Sequence, residues 1–304
     1  MDPSSFSRLL LLSAIWGGSF LFMRIGVPVL GPALLIFFRV GLASVFLLSI
    51  GLLYKQRLFV SLHWRHYLIL GLFNSALPFF CFAYAAQTIS ASLLSILNAT
   101  APIWATVISA MWLKTQLTLK SILGMTLGLI GVGVLAGVEA LYLPENGHIA
   151  IIAGLGAALS YGIATIYAKS AVQIAPFANA HGSLWGATFL LAPFAWISFP
   201  LSNQPQLQVI LAVTALGVAC SGIAYLIYFR LISDLGATSA LTVTFLVPFF
   251  GILWGWLFLD ESIGSHTIIG GAVVLVGTAL VTNFSVKNLF VQKKAAPPRL
   301  PRAQ

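Results

Sequence analysis

Residues 91–113 read ASLLSILNATAPIWATVISAMWL, and residues 237–259 read ATSALTVTFLVPFFGILWGWLFL. The two stretches align without a gap at an offset of 146, and each carries a proline at the same place, Pro102 or Pro248. Both are long and apolar enough to cross the hydrocarbon core of a bilayer, which takes roughly 20 apolar residues. The chain thus contains one kind of membrane-spanning helix twice.

The duplication extends to both sides of these stretches. The offset of 146 relates residues 75–135 to residues 221–281, and an offset of 145 relates upstream positions such as Arg24 and Lys169. The shared residues are few, but they fall on proline, glycine and charged positions, which shape a membrane helix. Internal symmetry in an apolar chain is typical of transporters, whose halves move about a site between them.

Composition indicates an integral membrane protein. Charged residues make up 7% of the 304 residues, where a soluble domain has about 25%. Apolar residues reach 60%, and the mean hydropathy is +1.01. Ten candidate spans follow from the hydropathy pattern: Ser7 to Val27, Ala33 to Tyr54, His66 to Ala86, Ala91 to Leu113, Ser121 to Val138, His148 to Ala168, Ala178 to Phe199, Leu207 to Phe229, Ala237 to Leu259 and Thr267 to Phe284.

The predicted fold is an all-α integral membrane protein of ten transmembrane helices, arranged as two inverted five-helix repeats. Five spans per repeat is an odd number, so the second repeat crosses the membrane upside down relative to the first. We expect the first repeat over residues 1–140, the second over 141–286 and a basic, proline-rich cytoplasmic tail over 287–304.

Loop charge predicts the orientation, because cytoplasmic loops are rich in Lys and Arg. With both termini cytoplasmic, the outer loops contain no Lys or Arg, and Arg24 and Arg39 lie within spans. The localisation expected is therefore a multi-pass protein of the cell inner membrane, with the lipid bilayer as partner and no nucleic-acid partner. The inner side then collects Arg8, Lys55, Arg57, Arg65, Lys114, Lys120, Lys169, Arg230, Lys287, Lys293, Lys294, Arg299 and Arg302.

The pattern resembles the EamA-like group of the drug/metabolite transporter superfamily over essentially the whole chain. The resemblance rests on WGGSF at residues 16–20, Phe38-Arg39, and the segments at residues 76–113 and 225–263. It implies a carrier for small metabolites, with a central cavity lined mainly by the first, third, fourth, sixth, eighth and ninth helices. The family often has a Gly-Glu pair after both proline-centred helices, whereas this chain has Lys114-Thr115 and Asp260-Glu261.

Polar residues beside the two prolines predict part of a binding site. A proline removes the hydrogen bond to the carbonyl four residues earlier, which is Asn98 for Pro102 and Thr244 for Pro248. At membrane depth, such a carbonyl needs a hydrogen-bond donor from the protein or from water. We expect Pro102 and Pro248 to act as helix hinges. The polar stripe that runs along the fourth span indicates either a cavity wall or close packing of small residues.

Aromatic and charged residues within spans extend this candidate site. Aromatic walls suit stacking and the binding of ammonium groups, although such residues also form interface belts. Arg39 is either a counter-ion for a substrate carboxylate or phosphate, or a structural residue that bonds backbone carbonyls. The candidate cavity residues are Trp16, Arg39, Phe79, Tyr84, Asn98, Trp104, Tyr161, Tyr225 and Thr244.

The absence of carboxylates and of catalytic motifs from the spans limits the possible mechanisms. No Asp or Glu falls in the interior of a span, and His181 is the titratable group at depth that could switch near neutral pH. Neither a metal-ligand cluster, a hydrolase nucleophile nor a nucleotide loop is found in the sequence. The sequence therefore predicts no enzyme, no cofactor and no metal ion.

The function predicted is the export of amino acids or similar small metabolites by alternating access. A cationic drug or sugar-conjugate carrier, or a membrane scaffold without transport, are the alternatives. Glycine-rich faces on the fifth and tenth spans fit either packing within the bundle or a homodimer seam.

Overall fold

The computed structural model describes residues 3–56, 58–139, 147–198, 205–235, 240 and 242–282, so the predicted tail lies outside the described residues. Helix α1 runs from Pro3–Leu53 and is interrupted at Gly31, whose φ of 68° and ψ of 166° suit glycine. At 1.5 Å per residue, its 51 residues are about twice what one crossing needs. The first two predicted spans therefore follow each other directly, as α1a (residues 3–30) and α1b (residues 32–53).

The remaining described chain is mainly helical. Two helices contain a π-helical segment, Leu72–Ala76 in α2 and Ala215–Ile223 in α7. These segments occupy equivalent positions, because the offset of 146 places residues 72–76 on residues 218–222. The helices are α2 Val60–Ala85, α3 Ala91–Trp112, α4 Leu119–Glu139, α5 Gly147–Ser170, α6 Pro176–Ile197, α7 Leu207–Leu235, α8 Val243–Leu259 and α9 Ser265–Val281.

Length and composition mark five of these helices as able to span a membrane. Within the described residues, α1, α2, α3, α5 and α7 are long and apolar enough to cross a membrane, and α4, α8 and α9 contain shorter apolar helices. With α1 counted as two segments, the helices follow the order of the ten predicted spans. The all-α membrane fold is thus as expected.

Close contacts show that each repeat is packed in the same way against the other. A Cβ atom added to Gly17 of α1a would lie 2.9 Å from the backbone nitrogen of Gly251 in α8. Its equivalent on Gly162 of α5 would lie 2.9 Å from the nitrogen of Ala105 in α3. We call two residues that the repeat offset relates repeat mates; Gly162 is the mate of Gly17, and Ala105 is the mate of Gly251. The first helix of each repeat therefore packs on the fourth helix of the other.

Helices α4 and α9 meet along a seam of four glycines, which we call the glycine seam. A Cβ atom on Gly124 would lie 2.6 Å from the Gly277 oxygen, and one on Gly277 would lie 2.6 Å from the Gly124 oxygen. Gly131 and Gly270 face each other in the same way: a Cβ atom on Gly131 would lie 2.9 Å from the Gly270 oxygen, and one on Gly270 would lie 3.1 Å from the Gly131 oxygen. These glycines therefore serve packing within the bundle, as the first of the two sequence interpretations expected.

The two prolines do not shape their helices equally. Helix α3 is divided into Ala91–Asn98 and Ala101–Trp112, and Pro102 stands in the first turn of the second piece, where proline is well tolerated. Helix α8 continues from Val243 to Leu259 through Pro248. Of the two proline-containing helices, α3 is therefore broken near the bundle centre and α8 is continuous.

Candidate functional site

A cavity of about 260 Å³ lies in the middle of the bundle. Its walls come from α1a, α2, α3, α5, α7 and α8, the helices expected from the family resemblance, together with α1b. The size lies slightly below the roughly 300–1,000 Å³ typical of ligand pockets, which favours a small ligand. The lining residues are Trp16, Ser19, Phe20, Met23, Arg39, Asn74, Phe79, Phe82, Asn98, Ala101, Tyr161, Thr165, Cys220, Ser221, Tyr225, Tyr228, Thr244 and Val247.

Arg39 provides the charge of this cavity. Its side chain is only 4% exposed, and among the described residues that line the cavity it is the one with a full charge. Nε donates a hydrogen bond of 3.1 Å to Ser221 Oγ, and the guanidinium carbon lies 3.6 Å from the centre of the Phe79 ring. Nη1 has no hydrogen-bond partner among the described residues. The guanidinium is held in place while retaining donor capacity for a ligand.

Aromatic rings form much of the wall around Arg39. The rings of Trp16 and Tyr228 lie 5.4 Å apart, and those of Phe79 and Tyr161 lie 6.5 Å apart, edge to face. Such pairs are stable at centroid separations of 4.5–7 Å and leave ring faces available. The cavity thus combines one cation with apolar and π-electron surface.

Amide and hydroxyl groups complete the lining. Asn74 Nδ2 donates a hydrogen bond of 3.1 Å to the Tyr225 hydroxyl. Asn98 and Thr244 both line the cavity, and Asn98 is the last residue of α3 before its break. The two residues are repeat mates, so each repeat supplies one polar side chain from its proline-containing helix.

The structure brings seven of the nine predicted cavity residues together and leaves two outside. Tyr84 lies near the end of α2 with 39% of its surface exposed, away from the cavity. Trp104 packs on α5, where a Cβ atom on Gly162 would lie 3.0 Å from its own Cβ. Neither residue is among those that line the cavity, because a helix turns each residue to a fixed side and aromatic character does not reveal which side.

Several lining residues were missed by the sequence interpretation. Asn74 is an amide within a span, so the argument that singled out Asn98 applies to it equally. Ser221 has a serine as its mate, Ser75, in the matching π-helical segment. A serine at the same position of both repeats is a sequence feature that indicates the site, whereas no comparable feature indicates Thr165.

The polar stripe of α3 divides between two roles. Ser92 Oγ donates a hydrogen bond of 2.7 Å to the Glu261 carboxylate, and Ser95 lies where a Cβ atom on Gly251 would meet it. These two serines serve the packing of α3 against α8. Asn98, further along the same stripe, faces the cavity.

His181 lies outside the cavity. It is 2% exposed within α6, and its Nε2 accepts a hydrogen bond of 3.0 Å from Trp185 Nε1. A ring nitrogen that accepts this bond carries no proton. The geometry therefore agrees with a packing role rather than with proton transfer to a ligand.

Comparison with known proteins agrees with this architecture. The model of the EamA-like transporter family matches residues 6–137 and again residues 148–283. An uncharacterized transporter of Bacillus subtilis (strain 168), YoaV, is 26% identical over 277 residues, which cover 89% of this chain and 94% of the relative. Protein PagO of Salmonella typhimurium is 24% identical over 89% of this chain and 90% of its own length.

A solved crystal structure shares the fold. It superposes with a TM-score of 0.63 at 19% sequence identity and covers 93% of this chain and 98% of that chain. An uncharacterized transporter of Archaeoglobus fulgidus is 25% identical over 93% of this chain and 98% of its own length. The two family matches together span both repeats and their helices. The chain therefore belongs to the EamA-like transporter family and is a small-molecule transporter embedded in a membrane.

Proposed function

We propose that the central cavity binds small metabolites that carry a carboxylate, amino acids first among them, and that the protein exports them across the inner membrane. The observation that carries this proposal is Arg39, a buried cation that lines the cavity and has an unpartnered Nη1. A charge at membrane depth is expensive, so a cavity that keeps one suits a ligand that supplies the counter-ion.

The rest of the lining suits the other parts of an amino acid. Hydroxyl and amide oxygens of Asn98 and Thr244 offer acceptors for an ammonium group, and ring faces such as that of Trp16 attract a cation. Apolar rings accept a side chain. The cavity of about 260 Å³ restricts the ligand to a small molecule.

The alternatives explain the lining less well. A purely cationic drug would meet Arg39, and no Asp or Glu is among the described residues that line the cavity. A scaffold without transport gains nothing from a buried guanidinium whose Nη1 has no partner in the described part of the chain. A ligand with an anionic group therefore fits best.

Orientation follows from loop charge. The proposal places both termini in the cytoplasm, because the Lys and Arg residues outside the spans then lie on the cytoplasmic side. Export is driven by the substrate gradient, since no carboxylate of the described residues lines the cavity to couple transport to protons.

A matched ligand panel tests this function. Each amino acid of a panel is compared with its own amide by binding to the purified protein in detergent. We expect acids to bind at least tenfold more tightly than amides, since a charge-assisted hydrogen bond contributes about 1.5–3 kcal/mol. Arg39→Gln should remove this preference, and Arg39→Lys should keep part of it.

The control removes a positive charge elsewhere. Arg65 is exposed and lies over the Trp64 ring, outside the cavity, so Arg65→Gln should leave the preference intact. Melting temperatures of the empty variants separate loss of binding from loss of folding. Amides that bind as well as the acids would rule out Arg39 as the carboxylate site.

A further inference from the structure

At one end of the bundle, Glu261 in the turn after α8 connects that turn to the start of α3. Its carboxylate accepts hydrogen bonds from the backbone nitrogens of Ala91 (2.6 Å) and Ser92 (3.1 Å) and from Ser92 Oγ (2.7 Å). A carboxylate at a helix N-terminus is stabilised by the helix dipole as well as by these bonds. We call this set of contacts the latch, and the end of the bundle that contains it the latch face.

A second contact closes the same face. Arg24, near the end of α1a, donates a hydrogen bond of 2.8 Å to the carbonyl of Ala86 at the end of α2. Deeper on this side, the rings of Phe20 and Phe82 pack edge to face at 5.5 Å and are 4% and 1% exposed. Both rings line the cavity, so they form its wall toward the latch face.

The repeat mates of the latch residues lie at the opposite face, in a different state. Asp260 and its mate Lys114 both have a φ of 52°, so the turns after α8 and α3 begin alike. The mate of Glu261 is nevertheless Thr115, whose hydroxyl lies 3.1 Å from Ser109 Oγ in its own repeat. The counterpart of Ala91 is Ala237, which lies outside the described residues.

The other mates at this face agree. Lys169, the mate of Arg24, is exposed. Thr165 and Tyr228 are the mates of Phe20 and Phe82, and both line the cavity. Thr165 is exposed, whereas Phe20 is buried. Phe20 and Arg24 are thus packed at the latch face, whereas their mates Thr165 and Lys169 are exposed at the opposite face.

We propose that these two sets of mates are the two gates of the carrier, and that the resting protein has the latch gate closed and the opposite gate open. The proposal rests on the proposed carrier function. In the other conformation the repeats exchange their states, so Lys169 approaches the end of α7 as Arg24 approaches the end of α2 here. Because Thr115 has no carboxylate, that gate closes less tightly, and the latch-closed conformation predominates.

Two symmetry-related pairs of spin labels test the asymmetry. Gln87→Cys with Ser262→Cys reports on the latch face, and Ser233→Cys with Gln116→Cys occupies the mate positions at the opposite face. All four residues are exposed. With Cys81 and Cys220 replaced by Ala, electron spin resonance on the full chain in liposomes should give a shorter distance for the first pair. Equal distances for the two pairs would overturn the proposal.

Exchanging the gate residues tests the cause. Glu261→Thr should shift the population from latch-closed to latch-open by about tenfold, since charge-assisted hydrogen bonds are lost. Thr115→Glu should raise the population with the opposite gate closed, which gives an independent reading should the first variant fold poorly. Asp260→Asn is the matched control, because it removes a carboxylate from the same turn while asparagine tolerates a positive φ.

The result separates the gates from the binding function. Unchanged distances in both Glu261→Thr and Thr115→Glu would overturn the gate assignment, even if amino acids still bind in preference to their amides. A shift in Asp260→Asn as large as that in Glu261→Thr would overturn it too. If the gates respond as expected but ligand preference does not depend on Arg39, the proposed substrate class fails and the gates stand.

Discussion

Asn98 and Thr244 occupy equivalent places in the two repeats and line the same cavity. Each precedes a proline by four residues, so the nitrogen that would bond its carbonyl in a regular helix carries no hydrogen. Side-chain and backbone acceptors are therefore concentrated at these two points. We expect a ligand in the cavity to use both.

Replacing either residue should affect binding more than folding. Asn98→Ala and Thr244→Val are each expected to weaken amino-acid binding by up to about tenfold, because one neutral hydrogen bond contributes about 0.5–1.5 kcal/mol. The measurements are ligand affinity and the melting temperature of the empty protein. Ser109→Ala, on α3 but outside the cavity lining, serves as the control; normal binding by both cavity variants would place the ligand elsewhere.

At this scale the sequence predicts residues whose chemistry is costly in a membrane. Arg39 and Asn98 stand out because charge and amide groups are rare in spans, and both reach the cavity. Tyr84 and Trp104 lie outside the lining, and aromatic residues are also common on helix surfaces that face lipid or neighbouring helices. Rarity of a side chain is informative about a site, and aromatic character is less so, since four of the six aromatic candidates line the cavity and two do not.

Among the helices, the glycine seam shows how closely backbones approach in this bundle. A Cβ atom added to Gly124 would lie only 2.6 Å from the backbone oxygen of Gly277, and one added to Gly277 would lie 2.6 Å from the oxygen of Gly124. Close approach of this kind lets van der Waals contacts stabilise helix pairs in lipid. Side chains larger than hydrogen would force α4 and α9 apart.

Two glycines of α4 provide a matched test. A Cβ atom on Gly131 would lie 2.8 Å from the nitrogen of Val274 and 2.9 Å from the oxygen of Gly270, whereas one on Gly133 has nothing within 4 Å. Gly131→Ala should lower the free energy of unfolding by about 1–3 kcal/mol. Gly133→Ala should leave it unchanged or raise it by up to ~1 kcal/mol. Thermal unfolding in detergent measures both; equal melting temperatures would contradict the seam.

Helix boundaries were harder to predict than helix positions. Pro102 and Pro248 are sequence equivalents, yet α3 is broken and α8 is continuous. Proline excludes one hydrogen bond but does not decide whether neighbouring contacts hold the helix straight. The direct junction of α1a and α1b at Gly31 could not be predicted either, because hydropathy identifies apolar stretches but gives no information on backbone angles.

Across the whole molecule, the distribution of ionisable groups bears on the energy source. Within the described residues, no carboxylate lines the cavity. His181 is buried on α6, with its Nε2 accepting a hydrogen bond from Trp185. Among the described residues, we therefore expect neither the cavity lining nor His181 to carry protons.

Transport into proteoliposomes should therefore follow the substrate gradient without an imposed proton gradient. A proton ionophore is expected to leave the initial rate unchanged. Strict dependence on a proton gradient, abolished by His181→Ala but retained in Trp185→Phe, would show that the histidine carries protons. The second variant is the control, because it removes the hydrogen-bond donor and keeps the titratable ring.

The overall plan could be predicted because duplication repeats proline, glycine and charge at fixed offsets. The difference between the two ends could not be predicted, since it depends on contacts between turns. Glu261 follows α8 in sequence, and only the folded chain brings it to Ala91 at the start of α3. Threonine at position 115 is a visible departure from the family pattern, but its consequence depends on that geometry.

The glycine seam has the form of an isologous interface, the kind that joins two identical subunits about a two-fold axis. Gly124 meets Gly277 just as Gly270 meets Gly131, and the two pairs are exchanged by the repeat offset. In a dimer of identical chains, every substitution would appear on both sides of the axis. A fused chain escapes that constraint, so one half can acquire a carboxylate while the other keeps a hydroxyl. The two ends of the molecule are thus free to specialise separately while the seam between them stays symmetric.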